Sequence, residues 1–237
     1  MKAMLLAAGL GTRLKPFTNH HPKALAIVNQ KTLLERNIVY LMKYGVTDIL
    51  VNVHHFADQI IQFLHTHPFD VTISISDEQD QVLETGGGVK KAAWFFKDGE
   101  PFVLMNVDIL TDFALDTMLQ HHALHKPLVT LAVSDRKSSR CFLFNQDMHL
   151  VGWKNNASGE IKCTHPESIH AEYSFSGIHI IDPTIFRLLT QEGKFSIVDS
   201  YLSLMESHTI LGFKHANCNL MDVGKPESIL HAEQIFK

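Results

Sequence analysis

The sequence contains few cysteines and no long run of apolar or basic residues. Its three cysteines, Cys141, Cys163 and Cys218, lie far apart, so their spacing indicates neither a disulfide framework nor a zinc site. No segment approaches the roughly 20 apolar residues that span a bilayer. The formal net charge of −4 gives no electrostatic reason to expect nucleic acid. We therefore expect a cytoplasmic protein that binds neither membrane nor nucleic acid.

What is present is a regular alternation of β-rich and helix-like segments along residues 1–135. This alternation predicts an α/β fold with a doubly wound, mostly parallel sheet. Shorter, hairpin-like strands follow in residues 136–237, which predicts a smaller β-rich part. A chain of 237 residues with this composition fits a single domain. Either a monomer or a homodimer is compatible with the sequence.

The most informative segment follows the first predicted strand, where an apolar run leads into a glycine-bearing loop. Gly9 and Gly11 allow an anion to come close to free backbone N–H groups. Arg13 and Lys23 then add two positive charges. The spacing does not match a P-loop, and Leu14 stands where a dinucleotide-binding loop needs a third glycine or alanine. For the two glycines alone, a tight strand-to-helix turn remains an alternative.

This segment resembles the signature of the sugar-1-phosphate nucleotidyltransferases, which reads L-x-A-G-x-G-x-R-L-x-P-x-T followed by P-K. Members of that family join a nucleoside triphosphate to a sugar 1-phosphate and release pyrophosphate. The resemblance implies a Rossmann-like nucleotidyltransferase fold, in which about residues 1–135 bind the nucleotide and about residues 136–237 bind the sugar phosphate. It also implies that Arg13 and Lys23 are catalytic. The loop residues that it implies in nucleotide binding are Ala8, Gly9, Gly11 and Thr12.

Two aspartates, Asp108 and Asp222, each follow a strand-like run. Taken alone, each aspartate is better explained as a cap of the following helix. Under the resemblance they correspond to the family's two metal-binding aspartates and imply Mg²⁺, a hard cation that prefers oxygen ligands. Val107 stands where the family usually has glycine, which narrows the room beside Asp108, and Asn106 is implied to bind the nucleotide.

Residues 83–88 read Leu-Glu-Thr-Gly-Gly-Gly. A backbone turn of this composition can lie against a flat base and read its edge, and a glycine-rich helix start is the alternative. The resemblance implies that Glu84, Thr85 and Gly86 bind the nucleotide. The form L-E-T-G-G-G is similar to that of the N-acetylmuramate-1-phosphate uridylyltransferases, whereas guanylyl enzymes more often show L-G-T. UTP is therefore favoured, and GTP remains open.

On the acceptor side, the run Ser-Phe-Ser-Gly-Ile resembles the family strand that lies beside the sugar. Ser176 and Gly177 are thereby implied to bind the sugar, and an ordinary half-buried strand with a close backbone approach is the alternative. Many relatives carry a Glu-Lys-Pro segment that contacts the sugar phosphate, where this chain has Trp-Lys-Asn. Lys154 of that segment is a candidate phosphate contact, although an exposed hairpin lysine explains it better.

Together these segments imply an Mg²⁺-dependent enzyme of NDP-sugar biosynthesis that transfers a nucleoside monophosphate from a nucleoside triphosphate to a sugar 1-phosphate. The specific expectation is uridylyl transfer to an N-acetylmuramate or hexosamine 1-phosphate in cell-wall metabolism. One alternative is a mannose- or heptose-1-phosphate guanylyltransferase. Another is a catalytically inactive regulatory protein that binds nucleotide sugars. Such a protein is expected to have lost Arg13, Lys23 or one of the two aspartates, and all four are present.

Overall fold

A computed structural model describes residues 1–237. It contains fourteen strands: β1 (Lys2–Leu6), β2 (Ile27–Val28), β3 (Lys31–Thr32), β4 (Asp48–Val53), β5 (Thr72–Asp77), β6 (Phe102–Asn106), β7 (Ile109–Thr111), β8 (Val129–Ser134), β9 (Arg140–Phe144), β10 (Leu150–Asn155), β11 (Ile161–Cys163), β12 (Ala171–Ile181), β13 (Ile210–Lys214) and β14 (Leu220–Asp222). The seven α-helices are α1 (Leu33–Lys43), α2 (Ala57–Thr66), α3 (Glu84–Lys91), α4 (Leu115–His125), α5 (Ile185–Leu188), α6 (Ile197–Leu204) and α7 (Pro226–Ile235). No helix is both long enough and apolar enough to cross a membrane.

The central sheet has ten strands, and its main parallel part is built from the first half of the chain, while β13 of the second half pairs in parallel with β8. Strand β1 pairs in parallel with β4 on one side and with β6 on the other, and β5 extends the parallel array beyond β4. The long strand β12 runs antiparallel to β6, β8 and β9, and it joins the second half to the sheet. The expected α/β fold class is confirmed, with additional antiparallel strands supplied by the second half.

Helices cover both faces of the sheet because its strands are apolar on both sides. Successive residues of β1 illustrate this, since Met4 and Leu5 are both fully buried but belong to different hydrophobic clusters. Leu5 packs in the cluster that includes residues of α1, α2 and α4. Met4 packs in the cluster that includes residues of α3, α5 and α6.

A third, smaller hydrophobic cluster joins the two ends of the chain. Leu14, directly behind the glycine-bearing loop, is buried there together with Val223 and Ala232. Pro226 begins α7, as its position in the sequence predicts. The cluster holds the residues after the glycine loop against β14 and α7, and thereby brings the second aspartate toward the first motif.

Two local expectations about helices are settled by the structure. Thr32 caps α1 by accepting a hydrogen bond from the Glu35 backbone N–H at 3.0 Å, as the sequence predicts. The helix-cap explanation of the two aspartates is wrong. Asp108 is followed by strand β7 rather than a helix, and α7 has Lys225 at its N-cap with no side-chain cap.

Candidate functional site

A cavity of about 480 Å³ opens at the carboxyl ends of the parallel strands β1, β4 and β6. This is the end at which ligands of doubly wound sheets bind. Most of the residues that the sequence singled out line it: Ala8, Gly9, Gly11, Thr12, Arg13, Lys23, Glu84, Thr85, Asn106 and Asp108. The cavity therefore gathers in one place motifs that lie about a hundred residues apart in the sequence.

The glycine-bearing loop forms one wall of the cavity. At Gly9 nothing lies within 4 Å of where a Cβ would stand, so the backbone there is open to a ligand. Gly11 has a φ of 62°, and a Cβ on it would lie 2.8 Å from a methyl carbon of Thr18. The Thr18 hydroxyl donates to the Gly11 carbonyl oxygen at 2.9 Å and fixes the loop. The loop is thus anchored at Gly11 and unobstructed at Gly9.

Each of the two predicted catalytic cations contacts one of the two predicted metal-binding aspartates. The Lys23 ammonium donates to the Asp108 carboxylate, and both side chains are mostly buried. The Arg13 guanidinium lies 3.7 Å from the Asp222 carboxylate, and the Arg13 side chain is 59% exposed. Lys23 is therefore held in place, whereas Arg13 is free to turn toward a ligand in the cavity.

Strand pairing explains why the two aspartates are neighbours. Strands β7 and β14 are antiparallel, with Asp222 opposite Ile109, and the Val223 backbone N–H donates to the Asp108 carbonyl oxygen at 2.8 Å. The Asp222 Oδ1 atom is buried and has no hydrogen-bond partner. A buried carboxylate oxygen without a donor is costly unless a cation or donor satisfies it. Asp222 does not itself line the cavity, but its unsatisfied oxygen lies beside Gly224, which does.

At the floor of the cavity lies a polar pair that the sequence analysis missed. The Asn52 amide donates to Glu78 at 2.8 Å, and its oxygen accepts the Ala7 backbone N–H at 2.7 Å. Glu78 is only 1% exposed, and burial raises the pKa of its carboxyl above the usual range. Two signals were available in the sequence: Asn52 interrupts an apolar β run, and Glu78 follows a predicted strand.

The residues of the Glu-Thr-Gly-Gly-Gly segment are helical, so the expectation of a backbone turn was wrong and the helix-start alternative holds. Glu84, with a φ of 58°, begins α3, and with Thr85 it lines the cavity. Gly86 is absent from the lining, because it packs against Phe195. Its predicted contact with the nucleotide is therefore not supported by its position.

The predicted sugar-binding residues also lie behind the cavity wall. Ser176 is 0% exposed, and its hydroxyl is 2.7 Å from Nε2 of His215, a residue whose pKa is lowered by burial. Gly177 has a φ of 77°, and a Cβ on it would overlap Ile109. The expectation of direct contact by the Ser176 side chain does not match this arrangement. The alternative of a half-buried strand with a close backbone approach does.

The other residue that sequence reasoning missed is Lys194. It lines the cavity from the second half of the chain, and its ammonium lies 3.4 Å from the Glu84 carboxylate. No local pattern marks it, because its position depends on contacts with a helix more than a hundred residues earlier in the chain. Lys154, in contrast, donates to Glu172 at 2.8 Å and does not line the cavity.

This arrangement suits a polyanionic ligand. Arg13, Lys23 and Lys194 are each balanced by a carboxylate, and an open glycine backbone lies between them. Charged donors and free backbone N–H groups stabilise phosphate oxygens. Ionic hydrogen bonds also gain strength where the surroundings exclude water.

Comparison with known proteins identifies the class. The profile of the nucleotidyl transferase family matches residues 2–236, which is almost the whole chain. The protein therefore belongs to the nucleotidyl transferase family, and the resemblance drawn from the glycine loop is confirmed.

Two curated relatives differ in the nucleotide and the sugar 1-phosphate that their names give. The N-acetylmuramate α-1-phosphate uridylyltransferase of Caulobacter vibrioides is 31% identical over 240 residues, which cover 98% of this chain and 95% of that protein. The catalytic subunit beta of the mannose-1-phosphate guanylyltransferase of Dictyostelium discoideum is 28% identical over 238 residues. That match covers 100% of this chain and only 64% of the longer relative.

Among solved structures, HddC from Yersinia pseudotuberculosis in complex with GMP-PN has a TM-score of 0.80. It is 22% identical in sequence and covers 100% of this chain and 99% of its own. At this identity the similarity supports the fold, and the expected Rossmann-like nucleotidyltransferase fold is confirmed.

Proposed function

We propose that this protein transfers a nucleoside monophosphate from a nucleoside triphosphate to a sugar 1-phosphate, with release of pyrophosphate. The observation that carries the proposal is the single cavity lined by the glycine loop, Arg13, Lys23 and Asp108. Residues 1–135 form the nucleotide-binding half and residues 136–237 the sugar-phosphate half of one domain. Nucleoside triphosphates and sugar phosphates are cytoplasmic metabolites, and we propose that the enzyme acts there.

In this reaction an oxygen of the sugar phosphate attacks the α-phosphorus in line with the departing pyrophosphate. The attacking oxygen is already ionised, so alignment and charge neutralisation dominate the chemistry rather than proton transfer. The open backbone at Gly9 receives the triphosphate, and Arg13 stabilises the charge that develops on the pyrophosphate. Lys23, held by Asp108 beside the glycine loop, also contacts the phosphates.

A divalent cation fits the carboxylates of this site. Asp222 ends β14 and pairs opposite Ile109, the residue that follows Asp108, and the buried Oδ1 of Asp222 has no other partner. The three cations, Arg13, Lys23 and Lys194, are each paired with one carboxylate, Asp222, Asp108 and Glu84 respectively, so these pairs offer no net positive charge to a triphosphate. We propose that the two aspartates hold Mg²⁺, which when bound neutralises phosphate charge and acts as a Lewis acid.

The metal proposal is tested with Asp108→Ala and Asp222→Ala. Each variant is expected to lower turnover by about 10²–10³-fold, the usual effect of losing one charge-stabilising group. Chelation of divalent cations with EDTA is expected to stop the wild-type reaction, and added Mg²⁺ to restore it. If both variants kept full turnover, the two-aspartate site would be wrong.

For the substrates, we propose UTP and an N-acetylmuramate or related hexosamine 1-phosphate, in cell-wall metabolism. The support is the Leu-Glu-Thr-Gly-Gly-Gly segment and the nearly full-length match to the Caulobacter relative. Glu78 lines the cavity floor, and burial raises the pKa of its carboxyl, which shifts the balance toward the neutral form. The uracil edge offers a carbonyl acceptor beside an N–H donor, and a neutral carboxyl group can donate to one and accept from the other.

Guanylyl transfer to a mannose or heptose 1-phosphate is the second candidate, supported by the match to the Dictyostelium relative. An ionised carboxylate can accept two parallel N–H bonds from the guanine edge. Glu78→Gln separates the candidates, because an amide retains one donor and one acceptor. A uridylyltransferase should keep most activity in this variant, whereas a guanylyltransferase should lose about tenfold or more.

The proposed function is tested by measuring pyrophosphate release with UTP, GTP, CTP and dTTP against a panel of sugar 1-phosphates. We expect the largest kcat/KM with UTP and N-acetylmuramate 1-phosphate. A larger value with GTP and mannose or heptose 1-phosphate would select the second candidate. No release with any pair, combined with binding of a nucleotide sugar, would favour an inactive regulatory protein.

A further inference from the structure

The proposed reaction needs a cation that faces the acceptor. A sugar 1-phosphate brings a second phosphate group up to the triphosphate, and repulsion between these anions opposes the alignment. Arg13 and Lys23 both come from the nucleotide-binding half and sit beside the two aspartates. Lys154 points to Glu172 outside the cavity. The acceptor phosphate therefore requires a cation from another part of the second half.

Lys194 has the required position. Among the residues that line the cavity, it is the one lysine or arginine contributed by residues 136–237. Its side chain is 54% exposed, so the ammonium can reorient within the open mouth of the cavity. Its partner, Glu84, lines the same cavity from the nucleotide-binding half.

The loop that carries Lys194 is fixed to α3 by backbone hydrogen bonds. The Gly86 N–H donates to the Phe195 carbonyl oxygen at 2.9 Å, and the Phe195 N–H donates to the Leu83 carbonyl oxygen at 3.1 Å. A Cβ on Gly87 would overlap the carbonyl oxygen of Gly193, so this approach requires glycine. The glycines of α3 therefore place the backbone beside Lys194 accurately, while its side chain remains mobile.

The ion pair with Glu84 is weak enough for a substrate to displace it. Half-exposed pairs of this kind contribute about 0–1 kcal/mol, because water screens them and two side chains must be ordered. A phosphate dianion carries about twice the charge of a carboxylate and offers more acceptor oxygens. Lys194 can thus exchange Glu84 for an incoming phosphate.

We infer that Lys194 binds the phosphate of the sugar 1-phosphate, and that Glu84 holds its ammonium at the cavity mouth until that phosphate arrives. The inference rests on the proposed function and names the residue that takes the place of the missing Glu-Lys-Pro segment. It assigns the glycines of α3 to docking the loop of residues 193–197.

Steady-state kinetics of Lys194→Met with each substrate varied in turn test this inference. We expect the KM for the sugar 1-phosphate to rise about 10- to 100-fold, as for loss of a charged hydrogen bond. The KM for the nucleoside triphosphate should stay within about twofold, because the glycine loop binds that substrate and Lys194 does not. Lys194→Arg should restore most of the loss, because it retains the charge.

Lys154→Met is the matched control, because Lys154 also belongs to residues 136–237 but does not line the cavity. The KM values of this variant should equal those of the wild type. Glu84→Gln removes the carboxylate charge that competes with the phosphate for Lys194, so the KM for the sugar phosphate should fall. Equal KM values in Lys194→Met and wild type would overturn the inference. So would a rise in the nucleotide KM of Lys194→Met as large as the rise in its sugar-phosphate KM, which would place Lys194 on the nucleotide instead. Absence of turnover in the wild type would remove the proposed function itself.

Discussion

Two glycine-rich segments of this chain look alike in sequence and do opposite things in the structure. In the loop after β1, nothing lies near the position that a Cβ on Gly9 would take, and the backbone borders the cavity. In α3, added Cβ atoms on Gly86 and Gly87 would overlap Phe195 and the Gly193 carbonyl oxygen. The first segment leaves space for a ligand, and the second leaves space for another part of the protein.

The difference shows what glycine can mean beside a phosphate-binding site. Glycine in a loop lets an anion reach backbone N–H groups, whereas glycine in a helix lets a second backbone come into contact. The helical glycines act on the ligand site indirectly, by positioning the loop that carries Lys194. The following substitutions test this contrast between the two segments, from the largest expected change in stability to the smallest.

Gly87→Ala is expected to have the largest effect on stability. The new Cβ would collide with a backbone carbonyl oxygen that is fixed by neighbouring hydrogen bonds, and overpacking of this kind costs about 1–3 kcal/mol. The free energy of unfolding in urea measures it. A loss below about 0.5 kcal/mol, the range of an unconstrained surface site, would show that the loop is not docked as described.

Gly88→Ala should destabilise the protein less. Its Cβ would lie 2.8 Å from Glu78 Oε1 and 3.1 Å from Asn52 Nδ2, which are side-chain atoms that can shift. We expect a loss of about 1 kcal/mol, together with a changed ratio of kcat/KM for UTP and GTP, because the displaced pair forms the cavity floor. An unchanged ratio of kcat/KM for UTP and GTP would show that Glu78 does not recognise the base.

Glu78→Gln tests the cost of burying a carboxyl group at this floor. Burial raises the folded-state pKa of Glu78, so the native protein holds that proton more tightly than the unfolded chain does. The contribution to stability is present below the usual glutamate pKa and is lost as the pH rises through the raised value. The variant should therefore match the wild-type Tm near pH 4 and exceed it near about pH 8.

A variant Tm below that of the wild type near about pH 8 would contradict this burial argument. It would mean that the hydrogen bond from Asn52 stabilises the ionised carboxylate of Glu78 by more than desolvation destabilises it. Thermal unfolding at several pH values provides both curves in one experiment.

Gly9→Ala should have the smallest effect on stability, within about 0.5 kcal/mol, because nothing opposes the added methyl group. The same methyl group would stand where the triphosphate approaches, so the KM for the nucleoside triphosphate should rise. An unchanged KM for the nucleoside triphosphate would show that Gly9 does not border the bound ligand. The contrast between the two glycine segments would then be wrong.

Much of this molecule follows from local sequence patterns. The helix at Leu115–His125 and the capping of α1 by Thr32 are readable from neighbouring residues alone. The glycine loop and Asp108 also follow, because loops at the carboxyl ends of parallel strands meet on one side of the sheet, whereas the place of Asp222 depends on the pairing of β14 with β7. These features depend on periodicity and topology, which the sequence carries directly.

The rest depends on contacts between distant segments. Ser176 is fully buried, with its hydroxyl 2.7 Å from Nε2 of His215, and no pattern around Ser176 in the sequence shows that contact. Lys194 reaches the cavity because its loop docks on α3, a contact between residues more than a hundred positions apart. Local propensity gives the strand or loop in each case, and long-range packing decides which side chains face the ligand.

The central claim is that the cavity beside the glycine loop carries out nucleotidyl transfer. Its most direct test compares pyrophosphate release by the wild type and by Arg13→Ala, with the preferred nucleoside triphosphate and sugar 1-phosphate. Arg13 is exposed and outside the core, so its loss should leave the unfolding curve unchanged. We predict a fall in kcat/KM of about 10²–10³-fold. Wild-type turnover in a folded Arg13→Ala variant would contradict the claim.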